Sequence, residues 1–149
     1  MKQILCMSYL PWQARPNRTQ QLLARLSDAQ ILFFEPPVPR GKPKPEQGRR
    51  MRSHITVYTL PCPLLPTLDR PLLQRRNRNR AVDFVQSVMA RHRFREPVLW
   101  CTSPEQAAFM DHIAYSGLVY DCHREWGEEF VDQESDLVCH AEVVFAASP

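Results

Sequence analysis

The chain has 149 residues, of which 44% are hydrophobic and 23% are charged, and its formal net charge is +3. This length and composition are typical of one soluble globular domain with a substantial core. No apolar run approaches the ~20 residues that a membrane-spanning helix needs. We expect no signal peptide, because the first residues form only a short apolar patch without a small-residue cleavage site.

The first half of the chain alternates apolar strands with a helix and loops. Ile4–Ser8 is a short apolar run that predicts the first strand, and Asn17 is placed to cap the helix that follows. One face of this helix carries Leu22, Leu23 and Leu26. Further apolar runs predict a second strand at Ile31–Phe34 and a third at Ile55–Leu60. Between them, the proline- and lysine-rich stretch 35–45 predicts a long exposed loop, because proline sustains neither a helix nor a strand ladder.

A long helix is predicted in the middle of the chain. It runs from about Asp69 to Arg93, with Asp69 as its cap and Pro71 tolerated in the first turn. Its predicted buried stripe consists of Leu72, Leu73, Ala81, Phe84, Val85, Val88 and Met89. Most of the arginines fall on the opposite side of this helix.

Three more strands and two helices complete the pattern. The strands are predicted at Pro97–Cys101, Leu118–Tyr120 and Val143–Ala147. Ser103-Pro104-Glu105-Gln106 reads as a capping box with proline at the first helical position, which predicts a helix start. The buried side of that helix is predicted to carry Ala107, Phe109, Met110 and Ile113. A last helix is marked by Phe130, Leu137 and Val138.

This alternation predicts an α/β fold. Strands that alternate with helices form right-handed βαβ units, and continuously apolar strands are typical of a parallel sheet covered on both faces. We therefore predict a Rossmann-like three-layer α/β/α domain with a mostly parallel six-stranded sheet. Because nothing follows the sixth strand, we expect residues 1–149 to be one domain of a larger protein.

Chemically rich loops follow the first, fourth and fifth predicted strands, at 8–18, 102–106 and 121–130. Ligands bind at the carboxyl ends of strands in such sheets, where these loops gather. Asp121, His123 and Glu125 could act as general acids or bases, or could form a polar loop with a capping acid. Trp126 could stack on a sugar ring or seal the core. In the first loop, Trp12, Arg15 and Arg18 could hold a sugar or a phosphate. Arg18 could instead be an ordinary residue of the first helical turn.

Metal and common nucleotide sites are not predicted. Cys122-His123 and Cys139-His140 are adjacent pairs, and neighbours on extended backbone point to opposite sides, so they do not suit one zinc ion. No G-x-G-x-x-G or G-x-x-x-x-G-K-[ST] pattern occurs, which disfavours an NAD-dependent dehydrogenase or a P-loop enzyme. The five cysteines are odd in number and show no C-x-x-C spacing, which favours reduced thiols in a cytoplasm.

Several motifs, in this order, resemble the N-terminal domain of bacterial glycosyltransferases of the GT-B type (group 1, or family 4-like). They are "SYLPWQARPNRTQQLL", a second strand ending in Glu35-Pro36, "PVLWCTSPEQAAF", "LVYDCHREWGEEF", the helix with Glu134, and "AEVVFAAS". The sequence departs from the pattern where an acidic pair is usual, here Arg124-Glu125. It also has His123 in place of an apolar residue and Glu142 in place of an aspartate.

The resemblance implies an acceptor-binding domain of an enzyme that transfers a sugar from a nucleotide-sugar to a polysaccharide or a lipid-linked acceptor. The nucleotide-sugar would sit on a C-terminal domain that this chain lacks, catalysis would need no metal, and the chain alone would be inactive. The implied acceptor contacts are Tyr9, Trp12, Arg15, Arg18, Ser103 and Trp126. The implied catalytic candidates are Asp121, His123 and Glu125.

Basic residues cluster at 40–52, 75–80 and 91–95. They could be a solvated face, or could hold the domain to anionic lipids at the inner face of the cytoplasmic membrane. A nucleic-acid partner is disfavoured, because no zinc-finger, RNA-recognition or helix-turn-helix signature occurs. The alternative to the enzyme is a stand-alone, non-catalytic Rossmann-like binding module.

Overall fold

A computed structural model describes residues 2–13, 15–37, 47–64 and 71–146. The strands are β1 Lys2–Met7, β2 Ala29–Glu35, β3 Arg49–Arg52, β4 Ile55–Thr59, β5 Val98–Cys101, β6 Gly117–Asp121 and β7 Val143–Phe145. The helices are α1 Arg18–Arg25, α2 Pro71–Arg91 and α3 Val131–His140, with short 3-10 helices at Pro104–Phe109 and Glu128–Phe130. Each of the six predicted strands is present, within a few residues of its predicted bounds.

The strands form one sheet in the order β3-β4-β2-β1-β5-β6-β7. All neighbours are parallel except β3, which is antiparallel to β4. The chain moves outward from β1 to β2 and β4, and then returns to the other side of β1 to form β5. The loops that follow β1 and β5 therefore leave the sheet in opposite directions, which creates the crevice where ligands bind in such folds.

Helices cover both faces of the sheet. On one face, Leu23 of α1 packs with Ile31 and Trp100. The other face carries a larger core, to which α2 contributes Val85, the 3-10 helix contributes Phe109 and α3 contributes Leu137. The predicted Rossmann-like α/β/α class is thus confirmed.

The sheet has seven strands, so the prediction of six was wrong. The additional strand, β3, consists of Arg-Arg-Met-Arg and lies in the basic cluster 40–52, between the predicted loop 35–45 and the predicted third strand. An edge strand has hydrogen-bonding partners on one side only and often carries charged side chains, so it needs no apolar run. The lysine-rich part of the loop, residues 38–46, lies outside the described residues.

Two leucines that were predicted in the buried stripe of α2 lie on the side of the helix that faces away from the core. Leu72 is 83% exposed and Leu73 is 39% exposed, whereas Val85 is buried. At 3.6 residues per turn, Leu72 lies roughly 140° around the helix axis from Val85, and Leu73 roughly 120°. The prediction of these two residues as core was therefore wrong. The predicted cap, Asp69, lies outside the described residues.

The helix start predicted at the capping box is confirmed, but this helix ends at Phe109, short of the predicted buried side that reached Ile113. The capping-box segment forms a short 3-10 helix, in which Oε1 of Gln106 accepts hydrogen bonds from the backbone N–H groups of Thr102 (2.7 Å) and Ser103 (3.2 Å). Val138, one of the residues that marked the last helix, does lie in α3, where it is 47% exposed. β7 is an edge strand, and Ala147 of its predicted range lies outside the described residues. Among the helices of the described ranges, none is long and apolar enough to cross a membrane.

Candidate active site

The N-terminal turn of α1 meets the end of β6 at the carboxyl edge of the sheet. Asn17 caps α1 by accepting a hydrogen bond from the N–H of Gln20 (3.0 Å), which fixes the next two residues against the sheet. Asp121, the last residue of β6, is fully buried. Its Oδ1 accepts from Nε (2.9 Å) and Nη2 (2.5 Å) of Arg18. Its Oδ2 accepts from the Thr19 hydroxyl at 2.5 Å.

The Thr19 hydroxyl also contacts an imidazole. Nε2 of His123 lies 2.6 Å from Oγ1 of Thr19 and 3.4 Å from Oδ2 of Asp121. A carboxylate only accepts hydrogen bonds, so the single proton of Thr19 goes to Asp121. Nε2 of His123 must then carry a proton and donate to Thr19. This network assigns the tautomer, and it leaves the lone pair of neutral His123 on Nδ1, at the other side of the ring.

Asp121 is held in its ionised form. Burial alone would raise the pKa of its carboxyl group, but hydrogen bonds from His123, Thr19 and Arg18 outweigh burial and lower the pKa to about 2. Such a carboxylate is a weak proton acceptor near neutral pH, because the best general bases have pKa values close to the working pH. Asp121 is therefore suited to orient and stabilise His123, and His123 is the member of this network suited to move a proton.

One aromatic side chain, Tyr9, packs against His123, and a second, Trp126, packs against Tyr9. The ring of Tyr9 lies edge-on to His123 (5.5 Å between centroids) and to Trp126 (5.4 Å). The backbone N–H of Tyr9 donates to Oγ1 of Thr102 (2.9 Å), which joins the loops after β1 and β5. Burial raises the pKa of the Tyr9 hydroxyl, so this group stays protonated and able to donate a hydrogen bond. The guanidinium of Arg124 covers the Trp126 ring at 4.7 Å.

Of the residues predicted from the sequence, the structure brings together Tyr9, Arg18, Asp121, His123 and Trp126. Arg18 directs its donors at oxygens of its own chain, since Nη1 also binds the carbonyl of Ala146 (3.1 Å) and Nη2 that of Cys122 (3.0 Å).

The other predicted residues lie outside this network. Ser103 is completely buried, and Arg15 and Glu125 are exposed. Trp12 packs edge-on against Phe33 of β2, with ring centroids 5.0 Å apart.

Trp12 belongs to a second polar cluster around Glu35, at the end of β2. Glu35 is 2% exposed. Its Oε2 accepts from the backbone N–H of Trp12 (2.8 Å), and its Oε1 accepts from Arg49 and from the Thr59 hydroxyl (2.8 Å). The carbonyl of Trp12 accepts a hydrogen bond from the Gln20 amide. This carboxylate fixes the loop after β1 to β3 and β4, so its role is to hold that loop in place.

Thr19 is the site residue that the sequence interpretation missed. It shares a helix face with Leu22, Leu23 and Leu26, at the spacing of one buried stripe. A hydroxyl in the buried stripe of a short helix, two residues after its cap, needs a hydrogen-bonding partner. The position of Thr19 could therefore have predicted a hydrogen bond from its hydroxyl to the sheet. The sequence does not show which residue of the sheet is the partner.

A small cavity of about 110 Å³ lies at this edge of the sheet and is lined in part by Tyr9. Its lining includes Ser8 and Tyr9, which follow β1, together with Leu60, Glu105 and Gln106.

Within the described parts of the chain, no group of three or more His, Cys, Asp or Glu side chains is placed to hold a metal ion.

Comparison with known proteins supports the fold rather than a particular family. No protein-family model matches the chain, and no curated protein matches it. A solved structure of sucrose-phosphate synthase from Thermosynechococcus elongatus is similar, with a TM-score of 0.66 over 99% of this chain and 77% of that chain. The shared fold is a Rossmann-like α/β/α domain. Sequence identity is 15%, so the similarity concerns the fold alone.

Proposed function

We propose that this chain is the acceptor-side domain of a glycosyltransferase, in which His123 is the base that activates the acceptor hydroxyl. The observation that carries the proposal is the Asp121–Thr19–His123 network at the carboxyl edge of the sheet. The imidazole of His123, whose tautomer this network assigns, lies against the ring of Tyr9, which in turn contacts Trp126. The glycosyltransferase-like fold agrees with this proposal.

The proposed chemistry follows from the tautomer. Nδ1 of His123 accepts the proton of an acceptor hydroxyl as its oxygen attacks the anomeric carbon of the donor sugar. The bond between that carbon and the nucleoside diphosphate breaks, and the diphosphate leaves with the electron pair. The imidazolium that forms is stabilised by the buried carboxylate of Asp121, partly through Thr19. Tyr9 and Trp126 would stack against the acceptor, and a separate domain would hold the nucleotide-sugar.

We also propose that the domain contacts an anionic membrane surface. The exposed Leu72 and Leu73 start α2, and the exposed Arg75, Arg76 and Arg80 follow within the next turns. Exposed leucines beside arginines fit an interfacial site, where apolar side chains enter the lipid and cations contact anionic head groups. Such contact suits a lipid-linked acceptor.

A transfer assay of the full-length protein tests the enzyme proposal. Nucleotide-sugars would be offered with candidate saccharide and lipid-linked acceptors, and the released nucleoside diphosphate and the glycosylated product would both be measured. His123→Ala should lower kcat by about 10²- to 10⁴-fold, the range for loss of a general base. His112→Ala, at an exposed histidine, is the matched control and should leave kcat unchanged.

Unchanged turnover in His123→Ala would remove His123 from the chemistry and leave its loop as part of the cleft wall. If no nucleotide-sugar supports transfer, the result favours the alternative function, which is a non-catalytic Rossmann-like binding module.

A further inference from the structure

A surface cavity of about 360 Å³ lies along α1, on the face of the sheet that α2 does not cover. Its lining consists of Trp12 and Pro16 from the loop after β1, Gln20, Gln21, Ala24 and Arg25 from α1, and Arg52 from β3. The four residues of α1 are three or four positions apart in pairs, so they share one flank of the helix. Thr19, which binds Asp121, is not part of this lining.

Two arginines give the cavity a positive charge. Neither Arg25 nor Arg52 forms an ion pair or a side-chain hydrogen bond with another residue that the structure describes. The lining of the cavity, among these residues, includes no carboxylate. Glu35, which binds the backbone of Trp12, is 2% exposed and is already paired with Arg49. Two like charges without a counter-charge leave a positive potential, which attracts an anion.

The number of charges favours a phosphate monoester. Such a group carries about 1.5 to 2 negative charges near neutral pH, whereas a carboxylate carries only one. The planar guanidinium also donates two parallel hydrogen bonds to phosphate oxygens, which adds geometric specificity. Both Arg25 and Arg52 are exposed, so a phosphate reaches them without any movement of the core.

The cavity has room for more than a phosphate. With about 30 Å³ for each water, its volume corresponds to roughly twelve waters. Trp12 supplies an aromatic wall, which is held in place by its contact with Phe33 (5.0 Å between ring centroids) and by its backbone hydrogen bond to Glu35 (2.8 Å). The amide of Gln21 offers both donors and an acceptor, as a sugar hydroxyl requires. A sugar ring therefore fits beside the phosphate.

The cavity is close to the proposed active site along the chain and separate from the proposed membrane surface. Trp12 lies three residues after Tyr9, which contacts His123, so their Cα atoms are at most roughly 11 Å apart. Leu72 and Leu73 start α2, which packs on the other face of the sheet. A soluble sugar phosphate is thus favoured over a lipid head group.

We propose that this cavity binds a phosphorylated sugar unit, with its phosphate between Arg25 and Arg52 and its ring against Trp12. The assignment of this unit to the acceptor rests on the proposed function above, whereas the binding of a sugar phosphate rests on the cavity alone.

The test is an NMR titration of the protein with glucose 6-phosphate, inorganic phosphate and glucose. Glucose 6-phosphate should cause saturable shifts of the Trp12 indole N–H and the Ala24 amide, which belong to the cavity wall. It should bind at least about 5-fold more tightly than inorganic phosphate or glucose, because the ring and the phosphate both contribute. Added salt should weaken this binding by screening the arginines.

Arginine variants locate the phosphate. Arg25→Gln and Arg52→Gln should each weaken the binding of glucose 6-phosphate by about 3- to 10-fold, the loss of one charge-assisted hydrogen bond at an exposed position. Arg75→Gln, at an exposed position of α2, removes the same charge on the other face of the sheet and should bind as the unaltered protein does. All three variants should remain folded, because the side chains are exposed, and a dispersed spectrum verifies this.

His123→Ala should leave the shifts caused by glucose 6-phosphate intact. Loss of sugar transfer and loss of this binding site are therefore distinguishable.

Three results would overturn the proposal. The first is the absence of saturable shifts with glucose 6-phosphate, which would mean that both arginines are merely solvated. The second is equal weakening by Arg75→Gln, which would indicate an effect of net charge alone. The third is tighter binding of uridine 5′-monophosphate or of a short-chain phosphatidic acid, which would assign the cavity to a nucleotide or to a lipid head group.

Discussion

The hydroxyl of Thr19 lies 2.5 Å from Oδ2 of Asp121, although 102 residues separate them in the chain. The same hydroxyl accepts a hydrogen bond from Nε2 of His123. Thr19 therefore links the buried carboxylate of Asp121 to the imidazole ring of His123 and fixes the position of that ring. Asp121 is buried and ionised, so under the proposed function it would act through His123 and not on the acceptor directly. Thr19 is therefore a positioning residue, and its removal should affect His123 more than the acceptor.

Thr19→Val tests this relationship, because valine has nearly the same shape and no hydroxyl. We expect kcat for sugar transfer to fall by about 10- to 100-fold, since His123 loses the partner that sets its ring position. KM for the acceptor should stay unchanged, because Thr19 is buried. The free energy of unfolding should fall by about 1–3 kcal/mol, because Oδ2 of Asp121 loses a donor.

Thr19→Ser is the control for this prediction, because it retains the hydroxyl. It should restore most of kcat and most of the stability. A valine variant that unfolds more easily but keeps its kcat would assign Thr19 to stability alone.

The low pKa of Asp121 predicts a pH dependence of stability. The pKa falls from 3.8 to about 2 on folding, so the unfolded chain binds this proton more tightly than the folded one does. The stabilisation is complete above about pH 4 and is lost as the pH falls through about 2. This difference between the folded and unfolded pKa of Asp121 corresponds to about 2 kcal/mol in the free energy of unfolding.

Denaturant unfolding of the unaltered protein and of Asp121→Asn between pH 5 and pH 2 measures this contribution. The stability gap between the two should narrow as the pH falls, because asparagine does not titrate. Asp83→Asn, at an exposed position of α2, should show no such narrowing. A gap that stays constant over this range would contradict the assigned hydrogen bonds.

The central strands could be predicted from the sequence because burial on both faces demands continuous apolar runs. Ile31–Phe34 and Ile55–Leu60 are examples, and the helix that starts after Asn17 carried its own local cap. β3 could not be predicted in this way, since an edge strand of Arg-Arg-Met-Arg is stabilised by pairing with β4 rather than by its own composition.

The site was only partly predictable, for a different reason. The loop rule placed Tyr9, Asp121, His123 and Trp126 at one edge of the sheet, and the structure brings these residues together. The contact of Thr19 with Asp121 depends on how α1 is set against β6, which no local pattern encodes. Leu72 and Leu73 show the same limit, because a loose apolar pattern does not establish which helix face meets the core.

The exposed leucines predict a membrane contact that vesicle binding can measure. The protein should bind vesicles containing phosphatidylglycerol more strongly than neutral phosphatidylcholine vesicles, and added salt should weaken that binding by screening the arginines. Replacing Leu72 and Leu73 together by serine should reduce the binding at least about 10-fold, since each leucine gains about 1.5–3 kcal/mol when fully buried. Fold stability should hardly change, because both side chains are exposed.

Val143 and Val144 supply the control for the vesicle experiment. They are 45% and 44% exposed on the edge strand β7, so serine at both positions removes comparable apolar surface elsewhere. This control variant should bind vesicles as the unaltered protein does. Absence of salt-sensitive binding to anionic vesicles by the unaltered protein would contradict the membrane proposal.

The cysteines predict an ordered pattern of thiol labelling. Burial raises the pKa of both Cys6 and Cys101, so these thiols are shielded and also protonated near neutral pH, whereas Cys139 is exposed. A thiol-specific reagent should therefore modify Cys139 first under native conditions, and Cys139→Ser should remove that fast phase. Because the thiolate is the reactive form, Cys6 and Cys101 should react only as fast as the core opens. Rapid native labelling of either would mean that β1 and β5 are not packed at the centre of the sheet.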